Sequence, residues 1–140
     1  MFDFDERRLL DLAGRAKKLG CELFVLDDGW FGARNSDRAG LGDYMVNAKK
    51  LPGGLDGLAK RVRAMGMEFG LWFEPEAVNP DSALYRAHPD WALTEPGREP
   101  LLSRHELLLD LTKPQVRDYI VKSVSSVLDS AEISYVKWDM

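Results

Sequence analysis

The sequence predicts an α/β fold on a parallel sheet, and among such folds a TIM (β/α)8 barrel of which about the N-terminal half is present. Three observations carry this expectation. Short apolar runs of strand type alternate with amphipathic helical segments, the pattern of repeated βα units with right-handed crossovers. An acidic or aromatic residue closes each strand, at the end where such barrels keep their active sites. The Gly-rich phosphate turn of a dinucleotide-binding sheet is absent, since Gly29 and Gly32 do not make G-x-G-x-x-G. A complete barrel takes roughly 250 residues and this chain has 140. A small open α/β domain is the other architecture that this length allows.

Each element has its own local signal. Leu9, Leu12, Ala13 and Ala16 fall at helical spacing, with Asp5 placed to cap the helix and Gly20 to end it. Leu23 to Leu26 is a short apolar run of parallel-strand type, ending at Asp27-Asp28-Gly29-Trp30. The polar segment that follows, to about Pro52, is too long for a simple connection and is expected to be a functional loop. Leu55, Leu58, Ala59, Val62 and Met65 mark a second helix, closed by Gly66. Residues 68–74 form a second strand running into Pro75, and residues 80–88 read as a short helix. Leu107 to Leu111 is a third apolar run of strand type, with Asp110 near its end. Pro114 then opens a helix where its missing N–H costs nothing. Val116, Ile120, Val124 and Val127 form the buried stripe of that helix, and Ile133 to Trp138 a final buried strand. No linker or short repeat interrupts the pattern, so residues 1–140 read as one partial catalytic barrel domain.

Composition narrows the function. With 45% hydrophobic and 30% charged residues and a net charge of −4, the chain has no basic face for nucleic acid. It has no apolar run of 18 residues to cross a bilayer. The N-terminus has no signal-peptide core, and a lone Cys21 suits a reducing compartment, so a cytoplasmic protein is expected.

The chemistry gathers at the strand ends. Side chains two apart on a strand share a face, so Lys137 is delivered with Asp139, Trp72 with Glu74, and Asp27 with Val25. Asp28 reaches the same side only if the strand has ended by Gly29, and Arg104 arrives from the loop before the third apolar run. A buried charged pair at a strand end is costly for stability alone. Carboxylates with an indole, a Lys and an Arg suit a polyhydroxylated substrate: carboxylates accept from sugar hydroxyls, and a Trp face packs on a pyranose. One carboxylate could then attack the anomeric carbon while a second acid protonates the leaving oxygen.

Plainer readings stand beside these. Trp72 could be a core aromatic, and Trp30, Trp91 and Trp138 packing residues. Asp110 could cap the following helix. Glu74 and Glu76 flank Pro75 as rim carboxylates, His88 ends a helix, and Lys49-Lys50 and Arg7-Arg8 are solvated surface.

Taken together the motifs resemble glycoside hydrolase family 36, the α-galactosidases and their relatives. The resemblance runs in order through residues 24–32 (FVLDDGWFG), 41–44 (LGDY), 69–76 (FGLWFEPE), 85–91 (YRAHPDW), 109–111 (LDL) and 135–140 (YVKWDM). It implies that Asp139 is the nucleophile of a retaining mechanism. It also implies that Asp27 and Asp28 hold galactose hydroxyls, and that Trp72, Arg104 and Lys137 bind the sugar. The general acid/base of the family lies on a later strand, beyond Met140. The substrate implied is an α-galactoside oligosaccharide of the melibiose or raffinose type, with no cofactor and no metal, and the parent protein is implied to be a homo-oligomer. The isolated 140 residues are therefore expected to be inactive. Galactosyl transfer and α-N-acetylgalactosaminide hydrolysis use similar barrels. Two further readings stay open: a Mg²⁺ site of the enolase type on Glu74, Asp110 and Asp139, and a non-enzymatic half barrel that serves as a scaffold or binds sugar weakly.

Overall fold

The computed structural model describes residues 2–140. The first helix, α1 (Glu6–Lys18), starts where the Asp5 carboxylate accepts the Arg8 N–H, satisfying one of the free donors of the first turn. It ends at Gly20, whose φ of +88° a side chain would resist. The helix buries Leu9, Leu10 and Ala13. The β1 strand (Leu23–Leu26) follows, then a long segment, then α2 (Gly54–Ala64), which buries Leu55, Leu58, Ala59 and Val62. Next come β2 (Glu68–Phe73), the two-residue β3 (Ala77–Val78) and a one-turn helix α3 (Ala83–Ala87) capped by Ser82. The two-residue β4 (Leu107–Leu108), α4 (Pro114–Leu128) and β5 (Tyr135–Trp138) complete the chain.

The main sheet has the order β1-β2-β5, and both pairings are parallel. It is an arc rather than a closed barrel. On its outer face Phe69, Leu71 and Phe73 are fully buried in one cluster with the apolar stripes of α1, α2 and α4. Each such side chain contributes roughly 1.5–3 kcal/mol by leaving water. On the inner face Val25, Gly70 and Tyr135 stand in register. A Cβ on Gly70 would lie 3.0 Å from the Tyr135 ring and 3.1 Å from Val25, so this row closes only over a glycine. Among the described residues no helix is long and apolar enough to cross a membrane.

The structure corrects three expectations. The run 107–111 is no strand of the parallel sheet; Leu107–Leu108 pairs antiparallel with Ala77–Val78 in a separate small ribbon. The last strand is not buried, because it pairs with β2 alone and leaves Tyr135 and Trp138 about half exposed; Trp138 is therefore not a packing residue. Lys50 is not solvated surface: its ammonium is buried and donates to the Gly29 and Arg34 carbonyls. The long segment after β1 is packed, with Trp30, Phe31, Leu41 and Leu51 at the core.

Candidate functional site

Strand register assembles the site. Trp72 is the Cα partner of Lys137, and the β1–β2 register, continued one residue past Leu26 and Leu71, sets Asp27 beside Trp72. Asp27, Trp72 and Lys137 thus form one row across three strand ends, and Asp139 lies two residues further along β5. The Lys137 Nζ donates to Asp27 Oδ2 at 2.8 Å and stands 3.7 Å from Asp139 Oδ2. The Trp72 indole N–H donates to Asp139 Oδ2 at 3.0 Å, and the Met140 backbone N–H to Asp139 Oδ1 at 3.0 Å.

These contacts fix charge states. The Trp72 N–H, then the Met140 N–H and the Lys137 charge, hold the Asp139 carboxyl below the usual carboxylate range. The hydrogen bond and charge of Asp27, then the charge of Asp139, hold the Lys137 ammonium above its ordinary value. All three charged side chains remain 40–45% exposed and so stay open to a ligand. Lys137 is nearer to Asp27 than to Asp139, and the direct hydrogen-bond donor to Asp139 is Trp72. The indole face expected to meet a pyranose is closed: Trp72 is 3% exposed and stacks on Phe31 at 6.2 Å. What it offers the site is its N–H.

Asp28 turns elsewhere. It is 7% exposed, and both its oxygens accept from the fully buried Arg34, through Nε at 2.9 and 3.1 Å and Nη2 at 2.8 Å. Arg34 also donates to Asn79 Oδ1 at 2.7 Å and lies 3.5 Å from Glu106. Burial opposes the Arg34 charge, but Asp28 and Glu106 outweigh it and hold its pKa above the ordinary value. Asn79 in turn accepts the Leu41 N–H and donates to the His105 carbonyl. One cation therefore joins the end of β1, the following loop, the end of β3 and the turn at 103–106.

That turn carries Arg104. Ser103 and Glu106 exchange backbone hydrogen bonds around it, and Arg104 and His105 take φ values of +52° and +66°. Positive φ at both central positions is the two-residue hairpin geometry that Asn and Gly favour. Arg104 is exposed and stands outside the hydrogen-bonded row of Asp27, Trp72, Lys137 and Asp139. It borders a cavity of about 370 Å³ with Glu74, Glu106 and Met140. Glu74, expected at the rim, is 3% exposed.

The remaining polar candidates are local. Asp110 accepts the Thr112 N–H and hydroxyl ahead of α4 and is not at a sheet strand end. It therefore does not join Glu74 and Asp139. Among the described residues no group of three His, Cys, Asp or Glu side chains is placed to hold a metal ion. His88 stacks on Trp91 at the end of α3, and Cys21 is exposed next to the start of β1. Sequence reasoning missed Arg34 and Asn79, because their partners are scattered from 5 to 72 positions away and leave no periodic pattern.

An arc of parallel βα units with charged groups gathered at its strand ends is the framework of a (β/α)8-barrel enzyme. The comparisons make this specific: the Melibiase family model matches residues 1–140, and the chain belongs to that family, within glycoside hydrolase family 36. It is 56% identical over 139 residues to the α-galactosidase AgaA of Geobacillus stearothermophilus, and 45% identical to an α-galactosidase of Escherichia coli. The match covers 99% of this chain and 19% and 20% of those relatives, so the chain spans about a fifth of their length. The crystal structure of AgaA superposes with a TM-score of 0.96 at 56% identity, covering 99% of this chain and 19% of that one. A substituted AgaA in complex with raffinose superposes at 0.95 with 55% identity and the same coverage.

Proposed function

We propose that the protein carrying this chain is an exo-acting, retaining α-galactosidase in which Asp139 is the nucleophile. The observation that carries the reading is the Asp139 carboxylate itself, held as an anion by the Trp72 N–H, the Met140 N–H and Lys137 in the same row as Asp27. Asp139 attacks the anomeric carbon, forming a galactosyl ester as the glycosidic C–O bond breaks. The leaving oxygen takes a proton from a carboxylic acid outside these residues. Water then attacks the ester, gives its proton back to that group, and releases galactose with the original configuration.

Asp27, 45% exposed and already ordered by Lys137, has lone pairs left for sugar hydroxyls. Asp28 has less to offer, with three hydrogen bonds from Arg34 on its two oxygens; in this reading it binds substrate through Oδ1, which takes only one of them. Trp72 and Lys137 keep Asp139 ionised and aimed, and Arg104 closes the pocket from the hairpin tip. Similarity to α-galactosidases over 99% of the chain supports the substrate class. The acid/base has no counterpart in this site, so the 140 residues alone are inactive in this reading.

The test is turnover of p-nitrophenyl α-galactoside by the whole protein and its Asp139→Asn variant. A fall of about 10³-fold or more in kcat is expected, the scale of losing a covalent nucleophile. Retained turnover would remove Asp139 from the role.

A further inference from the structure

We propose that Glu74 is an additional substrate-contacting residue of this site and acts as a hydrogen-bond donor to a sugar hydroxyl. The proposal rests on the α-galactosidase reading above and extends it to a residue that the mechanism leaves unused. Glu74 directly follows β2, two residues after Trp72, and continues the face that carries Trp72 toward Asp139. It lines the 370 Å³ cavity with Arg104, Ser103, Glu106 and Met140, and the Met140 N–H is a ligand of the Asp139 carboxylate. The residue that follows the nucleophile thus lines the cavity.

The state of the carboxyl is what makes it a donor. Glu74 is 97% removed from solvent. Its Oε2 is enclosed and has no hydrogen-bond partner among the described residues, which leaves Oε1 as the oxygen that can reach the cavity. A carboxylate in that position would carry an unsolvated charge; a carboxylic acid carries an O–H to give away. Every surrounding element bears on the balance. Glu106 from the hairpin and Asp139 from β5 oppose ionisation, while Arg104 and Arg34 favour it; Asp28 is already paired with Arg34, and the Tyr44 hydroxyl accepts the Glu74 backbone N–H. Burial leads these effects and raises the Glu74 pKa to about 7. Below that pH the group is neutral and donates. Above it the donor is lost and a second negative charge stands near Asp139.

The test uses the whole protein with Glu74→Gln, which keeps a donor and cannot ionise, and Glu74→Met, which removes it. At pH 6 the Gln variant should keep kcat/KM on p-nitrophenyl α-galactoside within about threefold, and the Met variant should lose about 30-fold or more, a single strong hydrogen bond to substrate. The alkaline decline of kcat/KM near pH 7 should disappear in Glu74→Gln. With monodeoxy galactosides, the Met variant should lose its penalty for one position only. Equal activity of wild type and Glu74→Met would overturn the proposal, as would an unchanged alkaline limb in Glu74→Gln. Circular dichroism and the thermal midpoint separate misfolding from lost contact; if Glu74→Met misfolds, the Gln pH profile decides alone. Failure of the wild-type protein to turn over the substrate would sink the α-galactosidase reading instead.

Discussion

Two carboxylate–cation groups meet at the end of β1, and they live in opposite electrostatic regimes. In the strand-end row, Lys137, Asp27 and Asp139 are all 40–45% exposed and joined by one short contact and one long one. Behind it, Arg34 at 0% and Asp28 at 9% side-chain exposure are locked by three hydrogen bonds, with Asn79 and Glu106 completing the set. The exposed group is weakly held and therefore free to exchange partners with a ligand. The buried group cannot exchange anything without leaving a charge stranded. Adjacent aspartates in the sequence, Asp27 and Asp28, thus divide the work: Asp27 faces the solvent of the site, while Asp28 anchors the loops around it and keeps only Oδ1 for a substrate hydroxyl.

The difference is largest in stability. Arg34→Met strands Asp28 and Glu106 without their cation and should destabilise the fold by about 3–5 kcal/mol, read as a lowered unfolding midpoint of the whole protein. Lys137→Met removes a cation of equal formal charge from the open row and should cost no more than about 1 kcal/mol, while kcat falls sharply. Equal stability losses in the two variants would erase the distinction between the regimes.

A smaller effect sharpens the description of the open row. The Trp72 N–H is the leading cause of the depressed Asp139 pKa. A carboxyl with a depressed pKa contributes stability and reactivity above its unfolded pKa, and both are lost as pH falls through the folded one. Removing the N–H with Trp72→Phe should therefore move the acid limb of kcat/KM to higher pH, leaving the alkaline limb in place. An unmoved acid limb would assign the ionisation of Asp139 to Met140 and Lys137 alone.

Legibility in the sequence follows the range of the forces involved. Asp5, Gly20, Gly66 and Pro114 act on their own turns, and the helices begin or end beside them. Period-two alternation was enough to bring Lys137 to one face with Asp139, and Trp72 with Glu74, because a strand fixes side-chain direction locally; the register that sets Trp72 beside Lys137 comes from the pairing of the two strands. The apolar run at 107–111 misled for the same reason in reverse. Five apolar residues look alike in a barrel strand and in a two-residue ribbon, and only the pairing with Ala77–Val78 distinguishes them. Arg34, Lys50 and Asn79 were illegible because their partners come from distant segments. Asp28 was legible as a strand-end carboxylate, but its direction was not, since Arg34 decides it.

The central claim is that Asp139 forms a covalent galactosyl ester. The direct measurement is to incubate the whole protein with a slow fluorinated galactosyl substrate bearing a good leaving group, digest it, and locate the adduct by mass spectrometry. The account predicts one fluorogalactosyl unit on the peptide that contains Trp138-Asp139-Met140, attached at Asp139. An adduct on Asp27 or Glu74, or inactivation with no covalent adduct at all, would contradict it.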